Sequence, residues 1–64
     1  MGLKAEREKR NFSQSELSKL SGVNVRMIQD YEQGRKDINK AAALTVVKLA
    51  DALKCDIKKI LNPY

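Results

Sequence analysis

Residues 13–34 read SQSELSKLSGVNVRMIQDYEQG, and this stretch decides the fold of the chain. Ser13 and the glutamate three residues later form the pattern of a capping box, which marks the start of a helix. Gly22 ends that helix, since glycine adopts the left-handed backbone conformation of a helix end at low cost. Asn24 is a suitable cap for a second helix, which Gly34 ends. The stretch therefore predicts two short helices joined by a tight turn.

A short turn that holds glycine between two short helices is the geometry of a helix-turn-helix motif. Such helices cross steeply, so the residues facing the shared core must be apolar and the residue at the closest contact must be small. Ser18 satisfies the second condition. The residues predicted to face the core are Leu17, Val23, Ile28 and Tyr31. Because these demands are met together, the pattern is more specific than a lone glycine motif.

The rest of the chain also has helical patterns. β-branched residues are sparse and never alternate over the length of a strand, so we expect an all-α chain with five helices. Caps and breakers predict a first helix over about residues 3–10 and a loop over residues 35–38. The second and third helices are those of the motif.

The last two predicted helices have amphipathic patterns. The fourth is capped by Asn39 and extends to about residue 53 or 54, and the fifth is capped by Asp56, runs through Leu61 and is ended by Asn62-Pro63. Their apolar residues at helical spacing are Ala42, Val46, Leu49 and Leu53, with Ala43 and Ala50 beside them, and then Ile57, Ile60 and Leu61. One apolar face on each helix indicates packing into a common core.

The chain has 64 residues, which allows one domain over residues 1–64 with a small core. Histidine is absent and cysteine occurs once, so a disulfide within the chain, a Cys/His metal site and a His-dependent catalytic pair are excluded. We therefore expect no enzyme activity, no cofactor, no metal ion and no evident small-molecule ligand. The single Cys55 is interpreted as a small buried apolar residue, with a redox sensor or an intermolecular disulfide as the alternative. No apolar run approaches the roughly 18–20 residues of a membrane span, and residues 1–7 lack the apolar core of a signal peptide, so we expect a cytoplasmic protein without a membrane partner.

Thirteen basic and eight acidic residues give a formal net charge of +5. A basic balance favours a polyanionic partner, most often nucleic acid, although it also serves simply to keep a small protein soluble. The basic residues come in small groups, so no disordered basic tail is indicated. One group, at residues 35–40, directly follows the motif, whereas the lysines of residues 54–59 lie elsewhere and are interpreted as solubility charges.

The chain resembles the lambda-repressor/Cro-like family of helix-turn-helix proteins, often called XRE-type. Residues 13–23 and 28–34 carry the resemblance, which reaches outward to residues 3–7 and 49–53. It implies a compact five-helix lambda-repressor-like DNA-binding domain whose helix-turn-helix, about residues 13–34, is formed by the second and third helices. The family usually has an apolar residue where this chain has Glu6.

The resemblance implies that the start of the third helix contacts base edges in the DNA major groove. At about ten residues and roughly 15 Å, this helix suits that groove. The implied base contacts are Gln14, Asn24, Val25, Arg26, Gln29 and Asp30. Arg26 suits guanine, Gln29 suits adenine, Val25 suits the thymine methyl group, and Asp30 can accept from cytosine or hold Arg26 in place. The alternative for these side chains is a solvated helix face.

The resemblance also implies contacts to the DNA backbone. The residues are Ser13, Gln33, Arg35, Lys36 and Lys40. A helix start offers free N–H groups to a phosphate, and basic side chains neutralise its charge. The alternatives are that Ser13 is only a cap and that the basic residues belong to a soluble loop.

An arginine of the first helix and a glutamate that ends the third form a pair in this family, and both positions match here, as Arg7 and Glu32. A pair with little water around it would lock the third helix against the first, and Arg7 can also reach a phosphate. The alternative is an exposed pair worth less than about 1 kcal/mol.

A single small domain contacts few phosphates, so relatives dimerise and place two recognition helices in major grooves about 34 Å apart. We therefore expect a homodimer, at least on DNA, and a palindromic operator. The apolar residues expected to be available for this contact are Ile57, Ile60, Leu61 and Tyr64, with Leu44 and Val47 as further candidates.

These observations favour a sequence-specific regulator of transcription that binds double-stranded DNA, a phage- or bacterial-type repressor that excludes polymerase from an operator. One alternative is an antitoxin that represses its own operon and also binds a toxin protein. Another is a protein-interaction module that has the same fold without DNA binding, against which the basic, hydrogen-bonding helix face argues.

Overall fold

The computed structural model describes residues 2–61, and within that range the chain forms five α-helices and one short 3-10 helix. The α-helices are α1 (Leu3–Lys9), α2 (Gln14–Ser21), α3 (Val25–Gln33), α4 (Ala43–Leu53) and α5 (Ile57–Ile60), and the 3-10 helix is Ile38–Lys40. Residues 2–61 contain no strand. The prediction of an all-α, five-helix chain is confirmed. Asn62, Pro63 and Tyr64, expected to end the fifth helix and to extend its apolar surface, lie outside the described residues.

The caps of the motif are those predicted. Ser13 Oγ accepts the Glu16 backbone N–H at 3.0 Å, and the Glu16 carboxylate accepts the Ser13 N–H at 2.9 Å. This reciprocal pair is a complete capping box. Gly22 and Gly34 end α2 and α3 in the left-handed conformation, with φ of 74° and 80°. The Asn24 side chain accepts a backbone N–H from the first turn of α3 at 2.7 Å.

The turn between α2 and α3 is closed by two serines of α2. Ser18 Oγ donates to the Val23 carbonyl at 2.7 Å, and Ser21 Oγ accepts the Val23 N–H at 3.1 Å. Val23 itself is buried. Ser18 therefore does more than fit a tight space, since its hydroxyl also satisfies a backbone carbonyl of the turn.

The start of α4 differs from the prediction. Asn39 lies inside the 3-10 helix, and its N–H is accepted by the Asp37 side chain at 2.9 Å. An aspartate readily bonds the backbone two residues later, and buried Ile38 anchors this turn in the core. α4 begins only at Ala43, and its N-cap, Ala42, offers no side-chain hydrogen bond. The predicted loop over residues 35–38 thus ends in a further short helix, and Asn39 is not the cap of α4.

All five α-helices contribute buried side chains to the core, and α3 packs against α2 and α1. The fully buried side chains of largest volume are Leu17, Ile28, Leu49, Leu53 and Ile60. Of the residues predicted to face the core in the motif, Tyr31 is half-buried against this cluster and the other three are buried.

Two expectations about the apolar faces of α4 and α5 are wrong in part. Ala42 and Ala43 are exposed. Ala42 precedes the first helical residue, so helical spacing does not hold there, and Ala43 lies in the first turn, before the buried face of α4 begins at Val46. Ile60 is fully buried and so is not available to a second copy. Ile57, one turn earlier, is 37% exposed. The same helix thus contributes one side chain to the core and leaves one outside.

Residues 2–10 are tied to residues 54–59 by two hydrogen bonds, each accepted by a backbone carbonyl. The Gly2 N–H donates to the Lys59 carbonyl at 2.9 Å, and the Arg10 guanidinium donates to the Lys54 carbonyl at 3.1 Å. Glu6, at the position that is usually apolar in the family, is nevertheless buried, and its carboxylate accepts from Lys9 at 3.3 Å. α1 therefore packs with a charged residue on its inner side. No helix within residues 2–61 is long and apolar enough to cross a membrane.

Candidate nucleic-acid interface

α3 is fixed to α1 by a two-pronged ion pair. The Arg7 guanidinium donates from Nε to Glu32 Oε2 at 2.7 Å and from Nη2 to Glu32 Oε1 at 3.1 Å. Both side chains have little contact with solvent, at 12% exposed for Arg7 and 3% for Glu32. Such paired N–H···O bonds set the orientation of both groups as well as attracting them. The predicted pair is present, and it is shielded from solvent rather than exposed.

The guanidinium of Arg7 makes a third bond that ties down the segment before α2. Nη1 donates to the Phe12 carbonyl at 2.7 Å. Hydrogen bonding to Glu32 raises the pKa of Arg7 above its ordinary value, and burial opposes this shift. One charged side chain thus positions α1, the α1–α2 connection and α3 together. The contact to Phe12 has no signature in the sequence, because a backbone carbonyl is present at every position.

Gln14, at the first position of α2, joins this arrangement. Its amide nitrogen donates to Glu32 Oε1 at 3.0 Å. Its amide oxygen accepts from Gln29 Nε2 at 3.4 Å. Gln14 and Gln29 are both half-buried, and they bring the start of α2 next to the outer side of α3. Two side chains selected separately as base contacts are therefore neighbours, which their spacing of fifteen residues did not indicate.

Polar side chains lie exposed at the start of α3, where the Asn24 oxygen also caps the helix. Asn24 and Arg26 are exposed, and Val25 is half-buried. Met27 and Ile28 turn towards the core instead. The helix has therefore the two faces expected from its sequence, one in the core and one carrying side chains able to donate or accept hydrogen bonds.

Asp30 pairs with a residue other than the predicted Arg26. Its carboxylate accepts from the Arg35 guanidinium at 3.5 Å, whereas the sequence suggested Arg26 as the residue it would hold. The Asp30 carbonyl also accepts the N–H groups of Arg35 and Lys36, at 2.9 and 3.3 Å. Asp30 thus fixes the chain that leaves α3, because Gly34 turns that chain back over the last turn of the helix.

Basic side chains surround the end of α3. Arg35, Lys36 and Lys40 are exposed, as is Gln33 on the last turn. Lys40 lies in the 3-10 helix rather than at the start of α4. Ser13 is also exposed, and its hydroxyl accepts only the cap bond, so its hydrogen stays able to donate to a further acceptor. Each predicted phosphate contact is therefore accessible from outside.

Two residues bear on chemistry other than binding. Burial raises the pKa of the Cys55 thiol, which is half-buried, so the thiol stays protonated at neutral pH. A protonated thiol is a poor nucleophile, which fits the interpretation of Cys55 as an apolar side chain. Hydrogen bonding from the Ser13 backbone lowers the pKa of Glu16, so the capping box is charged at neutral pH. The described residues contain no cluster of three or more acidic, Cys or His side chains able to hold a metal ion.

Comparison with known proteins agrees with this geometry. Residues 3–60 match the family model described as helix-turn-helix, which is the XRE type to which lambda repressor and Cro belong. The match includes α1 to α5 and therefore nearly the whole chain. No curated protein and no solved structure matches the chain.

Proposed function

The chain belongs to the helix-turn-helix family of XRE type, a family of DNA-binding regulators, and from this membership we propose that it is a sequence-specific repressor of phage or bacterial type. It inserts α3 in the major groove of double-stranded DNA and excludes polymerase from an operator. Its place of action is the cytoplasm, where bacterial and phage DNA lies.

The observation that supports this most is the rigid mounting of α3. The Arg7–Glu32 pair holds the helix from one side and Gln14 holds it from another, while the Arg26 side chain stays exposed. A recognition element benefits from such mounting, because side chains on a fixed helix lose less freedom when they bind.

Base recognition is assigned to six residues. They are Gln14, Asn24, Val25, Arg26, Gln29 and Asp30. Arg26 is suited to guanine and Gln29 to adenine, because each presents paired hydrogen-bonding groups that match the major-groove edge of that base. Asp30 shares its carboxylate with Arg35, so its part in recognition includes keeping that arginine in position.

Backbone contacts are assigned to Ser13, Gln33, Arg35, Lys36 and Lys40. Four of these lie in or after the last turn of α3, and Ser13 lies at the start of α2. Phosphate contacts at both ends of the motif would fix the angle at which α3 enters the groove. They also make binding dependent on salt, because each neutralised phosphate releases counterions.

Binding as a homodimer to a palindromic site follows from the small size of the domain. Two copies double the contacts and place two α3 helices in successive major grooves about 34 Å apart. The exposed apolar side chains that support a dimer are Leu44, Val47 and Ile57, exposed by 64%, 39% and 37%. A protein that remains monomeric and protects one half-site in footprinting would contradict this part of the proposal.

The test is a gel shift with random-sequence duplex DNA at two salt concentrations. We expect binding that weakens steeply as salt rises. Arg26→Ala should weaken binding, whereas Lys58→Ala, which removes the same charge from an exposed position on α5, should change it little. Absent binding, or binding indifferent to salt, would reject DNA recognition and favour a protein-interaction module.

A further inference from the structure

Four side chains form one continuous hydrogen-bond network across three helices. Arg7 of α1 donates to Glu32 of α3, Gln14 of α2 donates to Glu32 at 3.0 Å, and Gln29 of α3 donates to Gln14 at 3.4 Å. The first three members are tightly spaced, and the last contact is at the long end of hydrogen-bond distances. The network extends from an ion pair that is shielded from solvent to a residue on the outer side of α3.

The Arg7–Glu32 pair, at the end of the network that is shielded from solvent, sets the donor and the acceptor in every bond of the network. Arg7 only donates, and an ionised carboxylate only accepts, so Glu32 presents no hydrogen to Gln14. The Gln14 amide must therefore turn its nitrogen towards Glu32. Its oxygen then faces Gln29, and this oxygen again only accepts. Gln29 must in turn direct its nitrogen to Gln14.

These bond directions fix which atoms the Gln29 amide presents on the outer side of α3. One N–H is used by Gln14, and the second N–H and the carbonyl oxygen stay available. An amide donor beside an amide acceptor is the pair that matches N7 and the N6 amino group of adenine. Without a fixed partner, the two ends of a glutamine amide exchange places by rotation, and the positions of donor and acceptor in the groove exchange with them.

We infer that Glu32 sets the base preference of Gln29 by fixing the direction of the Gln14 and Gln29 amides, although Glu32 itself touches no base. The inference rests on the proposed function, since it assigns a cause to the specificity of that same helix face. Glu32 is thus a positioning residue, and the two hydrogen bonds from Arg7 hold its carboxylate in place. Because the bond between Gln29 and Gln14 is long, at 3.4 Å, it contributes little to the stability of the fold, and its effect is to orient the Gln29 amide.

The experiment selects binding sites from a random duplex pool with the wild type, Gln29→Ala, Arg26→Ala and Glu32→Gln. Gln29→Ala and Arg26→Ala identify the base pairs that these two residues read. Glu32→Gln keeps the shape of residue 32 but can donate as well as accept, so Gln14 is free to turn either way. We expect the Glu32→Gln pool to lose about tenfold of its preference at the Gln29 base pair, the scale of one paired base contact, and to keep its preference at the Arg26 base pair.

A merely structural role for Glu32 predicts another pattern. Loss of stability weakens binding to all sequences alike, so the selected motif would stay unchanged and only affinity would fall. That result overturns the inference, and so does a wild-type motif in which no position depends on Gln29. In the Gln29→Ala background, Glu32→Gln should change nothing further at that base pair.

Gln14→Met provides a second route if Glu32→Gln does not fold. It leaves the Arg7–Glu32 pair intact and removes the oxygen that accepts from Gln29. We expect the preference at the Gln29 base pair to fall here too, and an unchanged preference overturns the inference. A wild-type pool that enriches no motif overturns the proposed function itself, and the inference with it. An enriched motif that is identical in Glu32→Gln and Gln14→Met overturns the inference alone.

Discussion

The α2–α3 half and the α4–α5 half of the domain are stabilised by different means. α2 and α3 start with side-chain caps, share a turn closed by Ser18 and Ser21, and are joined by the Glu32–Gln14 bond. α4 starts at Ala43 without a side-chain cap and contributes four buried apolar residues along one face, and in this half the side-chain cap is that of Asp56 on the short α5. Directional polar bonds fix the helix that presents the candidate interface, whereas apolar burial, which has no preferred direction, holds α4. Changes in the two halves should therefore have different consequences.

The largest effect is expected in the supporting half. Leu49→Ala removes a fully buried side chain from the centre of α4, and we expect it to lower the free energy of unfolding by about 2 to 5 kcal/mol. A domain of this size has little stability in reserve, so most of the protein should unfold near room temperature. Urea unfolding followed by circular dichroism measures it, with Leu44→Ala on the exposed side of α4 as the matched control. Equal losses in the two variants would contradict the placement of the core.

The second largest effect on stability is expected in the α2–α3 half, at the polar bonds that hold α3. Glu32→Ala leaves the Arg7 guanidinium and the Gln14 amide without their shared acceptor, and we expect a loss of about 3 kcal/mol in unfolding free energy. DNA binding should weaken together with stability, because α3 loses its mounting. Thermal unfolding checks the first expectation and a gel shift the second. A loss below about 1 kcal/mol would mean that the pair behaves as an exposed one.

The difference in helix caps between the two halves can be reversed by removing the cap of α2 and adding one to α4. Ser13→Ala removes the cap of α2 and should cost about 1 kcal/mol, whereas Ala42→Ser adds a cap to α4 and should stabilise the protein by roughly 0.5 kcal/mol. Both residues are exposed, so packing changes little in either variant. Urea midpoints of the two variants and the wild type give the measurement. If Ala42→Ser had no effect while Asn39→Ala cost about 1 kcal/mol, as the loss of an N-cap does, α4 would begin at the position first expected.

The smallest effect is a pH dependence. Because hydrogen bonding lowers the pKa of Glu16 in the folded state below its ordinary value of 4.5, the unfolded chain binds a proton at this site more readily than the folded one. The contribution of Glu16 to stability is therefore present above that value and is lost as the pH falls through the lower, folded pKa. We expect wild type and Glu16→Gln to differ in stability at neutral pH and to converge in acid. A difference that stays constant down to acid pH would contradict the charged capping box.

The motif was predictable because its signals are local. Ser13, Gly22, Asn24 and Gly34 each act on the backbone within a few residues of themselves, and all four act as the sequence indicates. The buried face of α4 from Val46 onward was predictable for the same reason, since helical spacing determines it.

What could not be predicted depends on competition or on contacts between distant residues. Asp37 competes with Asn39 for the backbone before α4, and the outcome depends on Ile38 entering the core. Spacing placed Ile57 and Ile60 on one apolar face of α5, but which of them is buried depends on how α5 lies against α1 and α4, which no spacing within α5 reveals. The contact between Gln14 and Gln29 likewise depends on the crossing of α2 and α3. Within the candidate site, the residue types were predictable and their mutual bonds were not.

Amide chemical-shift mapping tests the central claim most directly, namely that the outer face of α3 is the surface that binds DNA. Isotope-labelled protein is titrated with a selected duplex, and the backbone amides that move are recorded. We predict that the largest changes lie at residues 13–14, 24–30 and 33–40, with little change in α5. Changes concentrated on Leu44, Val47 and Ile57 instead, or no change at saturating DNA, would contradict the account.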